Sequence, residues 1–349
     1  MKFEKKPFGV LPSGQKVSLW TLESASLSFS LTDYGAAWTS LVMPQKDGRR
    51  GNVVLGFSTL DGWLSNRIFM NATVGRFCNR IGGARFTLNG SVYTLDKNDG
   101  ENCLHSGSRA MYNSLWQGEA FEESGGVFVR FCIESADGDG GFPGNLKAAV
   151  TYGLSAENTM SADYRAWVDR DCPLSLTNHA YFNLRGTDGE NGGGCENILS
   201  HKLQLFSHSY AELNAASIPT GRILPVDGTP LDFRQATAVG TNIAAAGGYD
   251  HPYIIDGESG IVRPAAEVYE PSTGRRLTLC ATQPAVHFYS GNSIGTVRGR
   301  GGVTYRNHDA FCLETEYYPD APNKKTFPSA IFGPTRPYHE KALFTFTWQ

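Results

Sequence analysis

The sequence predicts an all-β protein, and three observations support that prediction. Aromatic residues make up 12% of the 349 residues and glycine contributes 40 of them, a composition that favours strands joined by tight turns. Apolar and polar residues alternate at several places along the chain. Long windows rich in Ala, Leu, Glu and Lys are nearly absent. We therefore expect a large antiparallel β-sandwich with its sheets packed face to face and few short helices.

Individual elements follow from local patterns. Residues 27–31 and 344–348 alternate apolar with polar side chains, as half-buried strands do. The segment RFTLNGSVYTL carries Asn89–Gly90 at its middle, the dipeptide favoured in a type I′ hairpin turn. This hairpin would place Phe86 opposite Tyr93. Helical signals are limited to Leu60–Leu64 and to a short stretch within residues 235–246.

The length of 349 residues would suggest about two domains at ~150 residues each, but β-sandwiches commonly exceed 200 residues as one domain. No internal repeat, low-complexity linker or change of composition marks a boundary. Residues 1–349 are therefore predicted to form a single domain.

Charge and cysteine content exclude several classes of partner. A net charge of −3 gives no basic surface of the kind that binds nucleic acid. The chain has no apolar run of about 18 residues for a membrane span, and no apolar stretch of about 7 to 15 residues near its start for a signal peptide. The seven cysteines form no CxxC pair, which argues against a disulfide framework or a zinc site. We expect a cytoplasmic protein with reduced thiols and no nucleic-acid or membrane partner.

The segment LTNHAYFNL, residues 176–184, reads as a strand with a reactive face. Alternation places its apolar side chains on one face together with Asn178. The other face is a polar strip with His179 at its centre, flanked by Tyr181 and Asn183. Such a strip is either ordinary solvated surface or a set of groups suited to hydrogen-bonding a small polyol.

Other polar residues stand in apolar or turn-like settings. Each has an ordinary explanation when taken singly, since a lone Arg pairs with a surface carboxylate and a lone His is often a satisfied core residue. No GxxxxGK[ST], GxSxG or HExxH motif is present. The residues that stand out are Arg76, Asn79 and Arg80 in VGRFCNRIGG, His105 in NCLHSG, Asp250 in GYDHPY, Gln283 in TQPAVHFYSGN, and Glu314 with Glu316 in FCLETEYYPDAPN.

In combination these motifs resemble those of the aldose 1-epimerase (galactose mutarotase) family. Its GRxxNRI, xLHGG, LTNHxYFNL, G[YF]DH, QPxxxFYSGN and LExxxxPDxxN patterns have counterparts in the same order over nearly the whole chain. The resemblance implies a large antiparallel β-sandwich with the sugar in an open cleft on one sheet. It also implies interconversion of the α and β anomers of free aldohexoses such as galactose and glucose, with no cofactor and no metal.

The resemblance assigns roles to named residues. His179 would donate a proton to the ring oxygen, and Glu314 would accept the proton of O1. Arg76 would brace a loop without touching substrate. The substrate-binding residues would be Asn79, Arg80, His105, Tyr181, Asp250 and Gln283.

The chain departs from the family pattern at two positions near the site. Ser106 stands where a Gly usually follows the histidine, and Glu316 stands where some members carry Gln. Mutual attraction should raise the pKa of His179 and lower that of Glu314, which favours the charged pair. If Glu316 faces the cleft, its charge should make Glu314 a stronger base.

Three other functions compete with this interpretation. A hexose-6-phosphate 1-epimerase shares the fold and the acid–base pair but needs extra cationic groups for the phosphate. A non-catalytic sugar-binding module would have no use for an acid and a base on separate strands. A polysaccharide-processing enzyme would need a groove rich in exposed Trp, whereas the six Trp are scattered. The sequence leaves open the preferred aldose among galactose, glucose, xylose and arabinose, and whether the protein is a monomer or a homodimer.

Overall fold

A computed structural model of the chain describes residues 1–108, 110–123, 125–188 and 195–349. Within these ranges the secondary structure is mostly β-strands with two short helices, which confirms the predicted fold class. The helices are α1 (Leu60–Leu64), at the predicted position, and α2 (Ile243–Ala246), inside the predicted window. The strands are β1 (Lys2–Val10), β2 (Lys16–Glu23), β3 (Ser28–Thr32), β4 (Ala37–Pro44), β5 (Arg50–Asn52), β6 (Thr73–Val74), β7 (Arg80–Ile81), β8 (Arg85–Leu88), β9 (Ser91–Thr94), β10 (Cys103–Leu104), β11 (Gln117–Glu123), β12 (Gly126–Ser135), β13 (Leu146–Ser155), β14 (Thr159–Val168), β15 (Cys172–Pro173), β16 (Thr177–Asn178), β17 (Lys202–Leu205), β18 (Ser209–Leu213), β19 (Pro219–Pro225), β20 (Thr237–Ala238), β21 (Asp250–Ile254), β22 (Arg263–Tyr269), β23 (Arg275–Ala281), β24 (Ala285–Tyr289), β25 (Thr296–Arg298), β26 (Thr304–Arg306), β27 (Cys312–Glu316), β28 (Ile331–Phe332) and β29 (Tyr338–Trp348).

Three large sheets organise the fold. One sheet has nine strands in the order β11-β12-β13-β14-β29-β23-β22-β17-β20. A first five-stranded sheet has the order β1-β2-β3-β4-β5, and a second has the order β19-β18-β21-β24-β27. The ladders within these sheets are antiparallel, as predicted.

Aromatic contacts join the sheets into a sandwich. Trp38 of β4 packs edge-on against Tyr152 of β13 and Phe344 of β29, with ring centroids 5.7 and 5.2 Å apart. Edge-to-face pairs of this kind contribute roughly 0.5–1.5 kcal/mol each beyond the area they bury. The second five-stranded sheet adds Val286 and Phe288 of β24 to the same apolar core. Both five-stranded sheets therefore share one apolar core with the nine-stranded sheet.

Local sequence patterns explain the strands that were predicted. In β29, Phe344 and Phe346 are buried while Thr347 is exposed, so the alternation marks the two sides of the sheet. Strands β8 and β9 form the predicted hairpin with Phe86 opposite Tyr93. Its turn residues Asn89 and Gly90 have φ of 50° and 80°, the two positive values that a type I′ turn requires.

The segment 176–184 corrects the expectation of a half-exposed strand. Only Thr177–Asn178 is strand, paired with β6, and both faces of the segment are buried. The segment lies inside the sandwich, where hydrogen bonds to protein groups take the place of bonds to water for several of its polar side chains. The Asn178 amide donates to the carbonyl of Asn71 at 2.8 Å and to the hydroxyl of Tyr152 at 3.0 Å. Asn178 thus anchors the segment to β13.

Two further findings concern the membrane and the thiols. Within the described ranges no helix has both the length and the apolar character needed to cross a membrane. All seven cysteines are free.

Arg76 braces the loops beside β12 and β13, the role expected of it. It is buried, and its guanidinium donates to the carbonyls of Ser135, Ala136, Pro143 and Gly144 at 2.7–3.0 Å. One charged side chain thereby binds four backbone carbonyls from two segments, of which those of Pro143 and Gly144 are buried.

We expect Arg76→Met to lower the free energy of unfolding by about 3 kcal/mol, because the buried carbonyls of Pro143 and Gly144 lose their charged donor. Urea denaturation followed by tryptophan fluorescence measures the change. The control is Arg130→Met, which removes an exposed ion pair with Glu119 and a cation–π contact with Phe121 and should cost about 1 kcal/mol. Equal losses in the two variants would contradict the bracing role of Arg76.

Candidate active site

A cleft of ≈ 340 Å³ brings most of the predicted site residues together. Its walls include strand residues of β21, β24 and β27 and the segments next to β6, β10 and β16. The predicted residues that line it are His179, Glu314, Asn79, Arg80, His105, Tyr181 and Asp250. A more voluminous depression of ≈ 820 Å³ lies on the nine-stranded sheet, but its polar side chains, such as Lys147 and Arg165, are exposed. Catalysis relies on polar groups that the protein holds in fixed positions, so we assign the site to the smaller cleft.

Strand register explains how residues distant in sequence meet. His287 of β24 lies opposite Glu314 of β27, and Asp250 of β21 lies opposite Tyr289 of β24. Directly opposed residues in antiparallel strands point to the same face, and residues two apart on one strand do so as well. Asp250, His287, Tyr289 and Glu314 therefore share the face that carries the cleft.

An imidazole and a carboxyl group form the centre of the cleft. Nε2 of His179 lies 3.6 Å from Oε1 of Glu314, and both side chains are buried. Within the described ranges, Nδ1 of His179 and Oε2 of Glu314 have no hydrogen-bond partner. Unpaired buried polar atoms are costly, so their retention here points to groups kept for a ligand.

Two aromatic rings hold the imidazole of His179. Tyr181 stacks on it with centroids 5.0 Å apart and an interplanar angle of 7°, and Phe69 lies at 6.2 Å and 24°. The Tyr181 hydroxyl donates to the carbonyl of Ile68 at 3.0 Å. Tyr181 therefore packs against the imidazole and fixes the neighbouring loop, and its hydroxyl proton is engaged by the protein.

The side chain of Asn66 holds the loop that carries Phe69 in its conformation. Phe69 has a φ of 56°, a conformation that is strained for a bulky residue and needs support from its surroundings. Oδ1 of Asn66 accepts hydrogen bonds from the backbone N–H groups of Ile68 and Met70 at 3.2 and 3.1 Å. This clamp keeps the Phe69 ring beside His179.

Burial reverses the expected protonation of the His179–Glu314 pair. Burial lowers the pKa of His179 to about 4 and raises the pKa of Glu314 well above its usual range. The expectation that mutual attraction would favour the charged pair is therefore wrong for the ligand-free cleft, because removal of both groups from water outweighs their attraction. The ligand-free cleft thus favours a neutral imidazole and a protonated carboxyl group.

A chain of charged groups runs along one wall. Arg80 donates to Asp99 at 2.8 Å and faces Asp250 at 3.7 Å. Asp250 Oδ1 lies 2.6 Å from Nε2 of His287, whose Nδ1 lies 3.3 Å from Oε1 of Glu316. Although burial opposes a charge on His287, the contacts with Asp250 and Glu316 raise its pKa to about 10. Although burial would raise the pKa of Asp250, the His287 contact lowers it to about 2.

His105 presents a defined tautomer to the cleft. The backbone N–H of Asn79 donates to its Nδ1 at 3.1 Å, and burial lowers the pKa of His105 well below its usual value. A neutral ring that accepts at Nδ1 carries its proton on Nε2. His105 therefore offers an N–H donor. The substituted Ser106 has a φ of 69° and its hydroxyl donates to the carbonyl of Phe77 at 3.0 Å, which leaves His105 in the cleft.

One group of side chains has the composition of a metal site. Ligand atoms of His105, His179 and Glu314 lie within 4.8 Å of one another. To coordinate a metal, however, His105 would have to give up the hydrogen bond from Asn79 or the proton on Nε2. The tautomer fits a hydrogen-bond donor better than a metal ligand.

Gln283 and Glu316 do not line the cleft. The structure does not place Gln283 with the other predicted site residues, since its amide donates to the carbonyl of Leu176 at 2.9 Å and its oxygen accepts from Thr315. It precedes Pro284 and the start of β24, so the alternation of that strand does not extend to it. Glu316 is fully buried and contacts His287 instead of lining the cleft.

The sequence interpretation missed His287 and Phe69. His287 stands two residues before Tyr289 in QPAVHFYSGN, so the period of two in β24 could have indicated that it shares a face with the site. Phe69 belongs to no motif, and its position depends on the Asn66 clamp, which gives no periodic signal.

The fold and the cleft define a class of protein, namely β-sandwiches with a buried imidazole–carboxyl pair set among hydrogen-bonding side chains in a cleft. The sequence profile of the family described as aldose 1-epimerase matches residues 18–345. The chain belongs to the aldose 1-epimerase family, which confirms the resemblance.

Individual relatives cover nearly the whole chain. It is 36% identical over 344 residues to galactose mutarotase of Rattus norvegicus, which covers 97% of each protein. It is 35% identical over 324 residues to aldose 1-epimerase of Escherichia coli (strain K12), which covers 91% of each.

Solved structures agree in fold. The aldose epimerase homologue from C. elegans has a TM-score of 0.86 at 26% identity and covers 94% of this chain and 98% of its own. Galactose 1-epimerase from Lactobacillus acidophilus NCFM has a TM-score of 0.85 at 24% identity, with 99% of this chain and 98% of its own covered.

Proposed function

We propose that this protein is an aldose 1-epimerase that interconverts the α and β anomers of free aldohexoses such as galactose and glucose. The observation that carries the proposal is the buried pair His179–Glu314, whose facing atoms are 3.6 Å apart. Interconversion needs one group that removes the proton of the C1 hydroxyl and one that protonates the ring oxygen, so a single pair suffices. Membership of the aldose 1-epimerase family supports this assignment.

The reaction proceeds through the open-chain aldehyde. Glu314, as carboxylate, takes the proton of O1 while His179, as imidazolium, gives a proton to the ring oxygen, and the C1–ring oxygen bond breaks. Rotation about C1–C2 presents the other face of the aldehyde. Reversal of the two transfers then closes the ring as the opposite anomer.

Burial gives the ring-opening step a driving force. Opening converts an imidazolium and a carboxylate into a neutral imidazole and a carboxylic acid, which is the arrangement that burial favours in the ligand-free cleft. Substrate binding must therefore favour the imidazolium–carboxylate pair against the effect of burial, and an O1 hydroxyl that donates to Glu314 stabilises its carboxylate. The neutral His179–Glu314 pair, away from water, then stabilises the open-chain state relative to the closed-ring state with the charged pair.

The other cleft residues bind the sugar in this proposal. Arg80 and the Nε2–H of His105 donate to hydroxyl or ring oxygens, and Asp250 accepts from hydroxyls. Asn79 contributes through its backbone N–H, which fixes His105. Gln283 supports the site through the carbonyl of Leu176.

A phosphorylated substrate fits the cleft less well. The cleft lining holds two arginines, Arg67 and Arg80, together with Asp99 and Asp250. Arg80 is already paired with Asp99 and faces Asp250, so its charge is engaged by these acids, which repel an anionic substituent. This pairing supports neutral aldoses over hexose 6-phosphates.

We also propose a cytoplasmic, single-domain protein. Seven unpaired cysteines suit a reducing compartment. The continuous core that extends from Trp20 to Phe346 suits one folding unit.

Polarimetry tests the proposed activity. Freshly dissolved α-D-galactose or α-D-glucose should reach its equilibrium rotation faster with the protein than in buffer alone, with a rate proportional to protein concentration. α-D-Glucose 6-phosphate serves as the comparison substrate and should be accelerated less. Rates equal to the buffer rate for a panel of α-aldoses would overturn the proposal.

A further inference from the structure

His287 lines the cleft but has no nitrogen free for a ligand. Its Nε2 lies 2.6 Å from Asp250 and its Nδ1 lies 3.3 Å from Glu316. The side-chain amide nitrogen of Asn79 also lies 3.1 Å from Nδ1. Both nitrogens are thus engaged, and any effect of His287 on a bound sugar must pass through Asp250, Glu316 or Asn79. The Asn79 amide is itself held by Glu316 and by the backbone N–H of Arg80, which leaves the two carboxylates to compare.

Of the two carboxylates, only Asp250 reaches the cleft. Glu316 is fully buried, whereas the side chain of Asp250 is 33% exposed. His287 occupies Oδ1 of Asp250, and Oδ2 faces Arg80 at 3.7 Å, beyond hydrogen-bond distance. Oδ2 is therefore the oxygen left to accept a hydroxyl of a ligand.

We propose that His287 is a positioning residue that fixes the Asp250 carboxylate as the acceptor for one particular hydroxyl of the sugar, with Glu316 as its buried counter-charge. This proposal rests on the proposed function. A carboxylate held on one side by an imidazolium is already ionised and oriented before substrate arrives, so binding does not have to order it. The arrangement provides specificity, since loss of the matching hydroxyl leaves a buried acceptor unpaired.

The test replaces the charged pair His287–Glu316 by two neutral glutamines. His287→Gln alone leaves Glu316 buried without its cation and can destabilise the fold. The double variant His287→Gln with Glu316→Gln removes one positive and one negative charge, so the buried net charge stays the same. The control is His208→Gln, which makes the same replacement in a His–Asp contact of 2.6 Å with Asp256 at an exposed position.

We expect the double variant to raise KM for galactose about tenfold and to change kcat by less than about threefold, while His208→Gln changes neither. A panel of 2-, 3-, 4- and 6-deoxygalactose gives the readout that a merely structural role would not move. The wild type should discriminate against the sugar that lacks the hydroxyl bound by Asp250, and the double variant should lose that discrimination and keep the others.

Two outcomes would overturn the role of His287. One is unchanged discrimination across the panel, and the other is an equal loss of activity on every sugar with KM preserved. Both presuppose a wild type that accelerates mutarotation. A wild type without activity on any sugar of the panel would instead overturn the proposed function, so the two failures are distinguishable.

Discussion

Glu314→Gln should reduce the catalysed rate of mutarotation by ~10²- to 10⁴-fold, the usual contribution of one general acid–base group. Glutamine has nearly the same shape as a protonated glutamic acid, and burial raises the pKa of Glu314 well above its usual range. The substitution therefore preserves the packing of the ligand-free cleft and removes only the ability to accept the O1 proton. Polarimetry with the buffer rate subtracted measures the loss.

The stability of the same variant provides an independent check. A carboxyl whose pKa is raised in the folded state binds its proton more tightly when folded, so its contribution to stability is lost as the pH rises through the folded pKa. Glutamine has no proton to lose. At pH 8 the free energy of unfolding of Glu314→Gln should therefore equal or exceed that of the wild type. The matched control Glu119→Gln, at an exposed position, should keep full activity. A catalysed rate within about tenfold of the wild type would remove Glu314 from the catalytic pair.

His179→Asn should cause a loss of similar size, because asparagine cannot donate a proton to the ring oxygen. A second part of the loss of rate comes from packing. The substitution removes the imidazole ring that stacks on Tyr181 and lies near Phe69, so the shape of the cleft changes. Initial rates on α-D-galactose measure the effect. His339→Asn is the control, since His339 contacts Asp163 at an exposed position outside the cleft.

Combining the two substitutions tests whether the pair works as a unit. Each group needs the other for a complete proton transfer, so the double variant should be no slower than the slower single variant within about threefold. Losses that multiply would show that His179 and Glu314 act in separate steps. Circular dichroism and urea denaturation of each variant establish that the fold is retained.

The parts of the structure that the sequence could predict are those governed by local chemistry. Asn89–Gly90 specifies its turn through two positive φ values, and the alternation of residues 344–348 specifies a half-buried strand. The motifs that placed His179, Glu314 and Asp250 in one cleft did so through family resemblance, and strand register explains why they meet.

The remaining features depend on tertiary context. Burial on both faces of residues 176–184 depends on which sheets cover the segment, and a period of two cannot report that. The protonation of His179 and Glu314 depends on the removal of water, which outweighs a pairwise attraction that can be guessed from residue types. Gln283 was misplaced because its motif gives no indication of where β24 begins.

The anchoring of Asn178 has a consequence for how substrate range can change over evolution. Its amide ties the backbone next to His179 to Tyr152 in the nine-stranded sheet, so the core of the sandwich sets the position of the His179 side chain. Asp99, in contrast, lies in a connecting segment outside the family motifs, where substitutions are tolerated more readily. Preference among sugars can therefore diverge within the family by exchange of such residues, while the reaction itself is conserved.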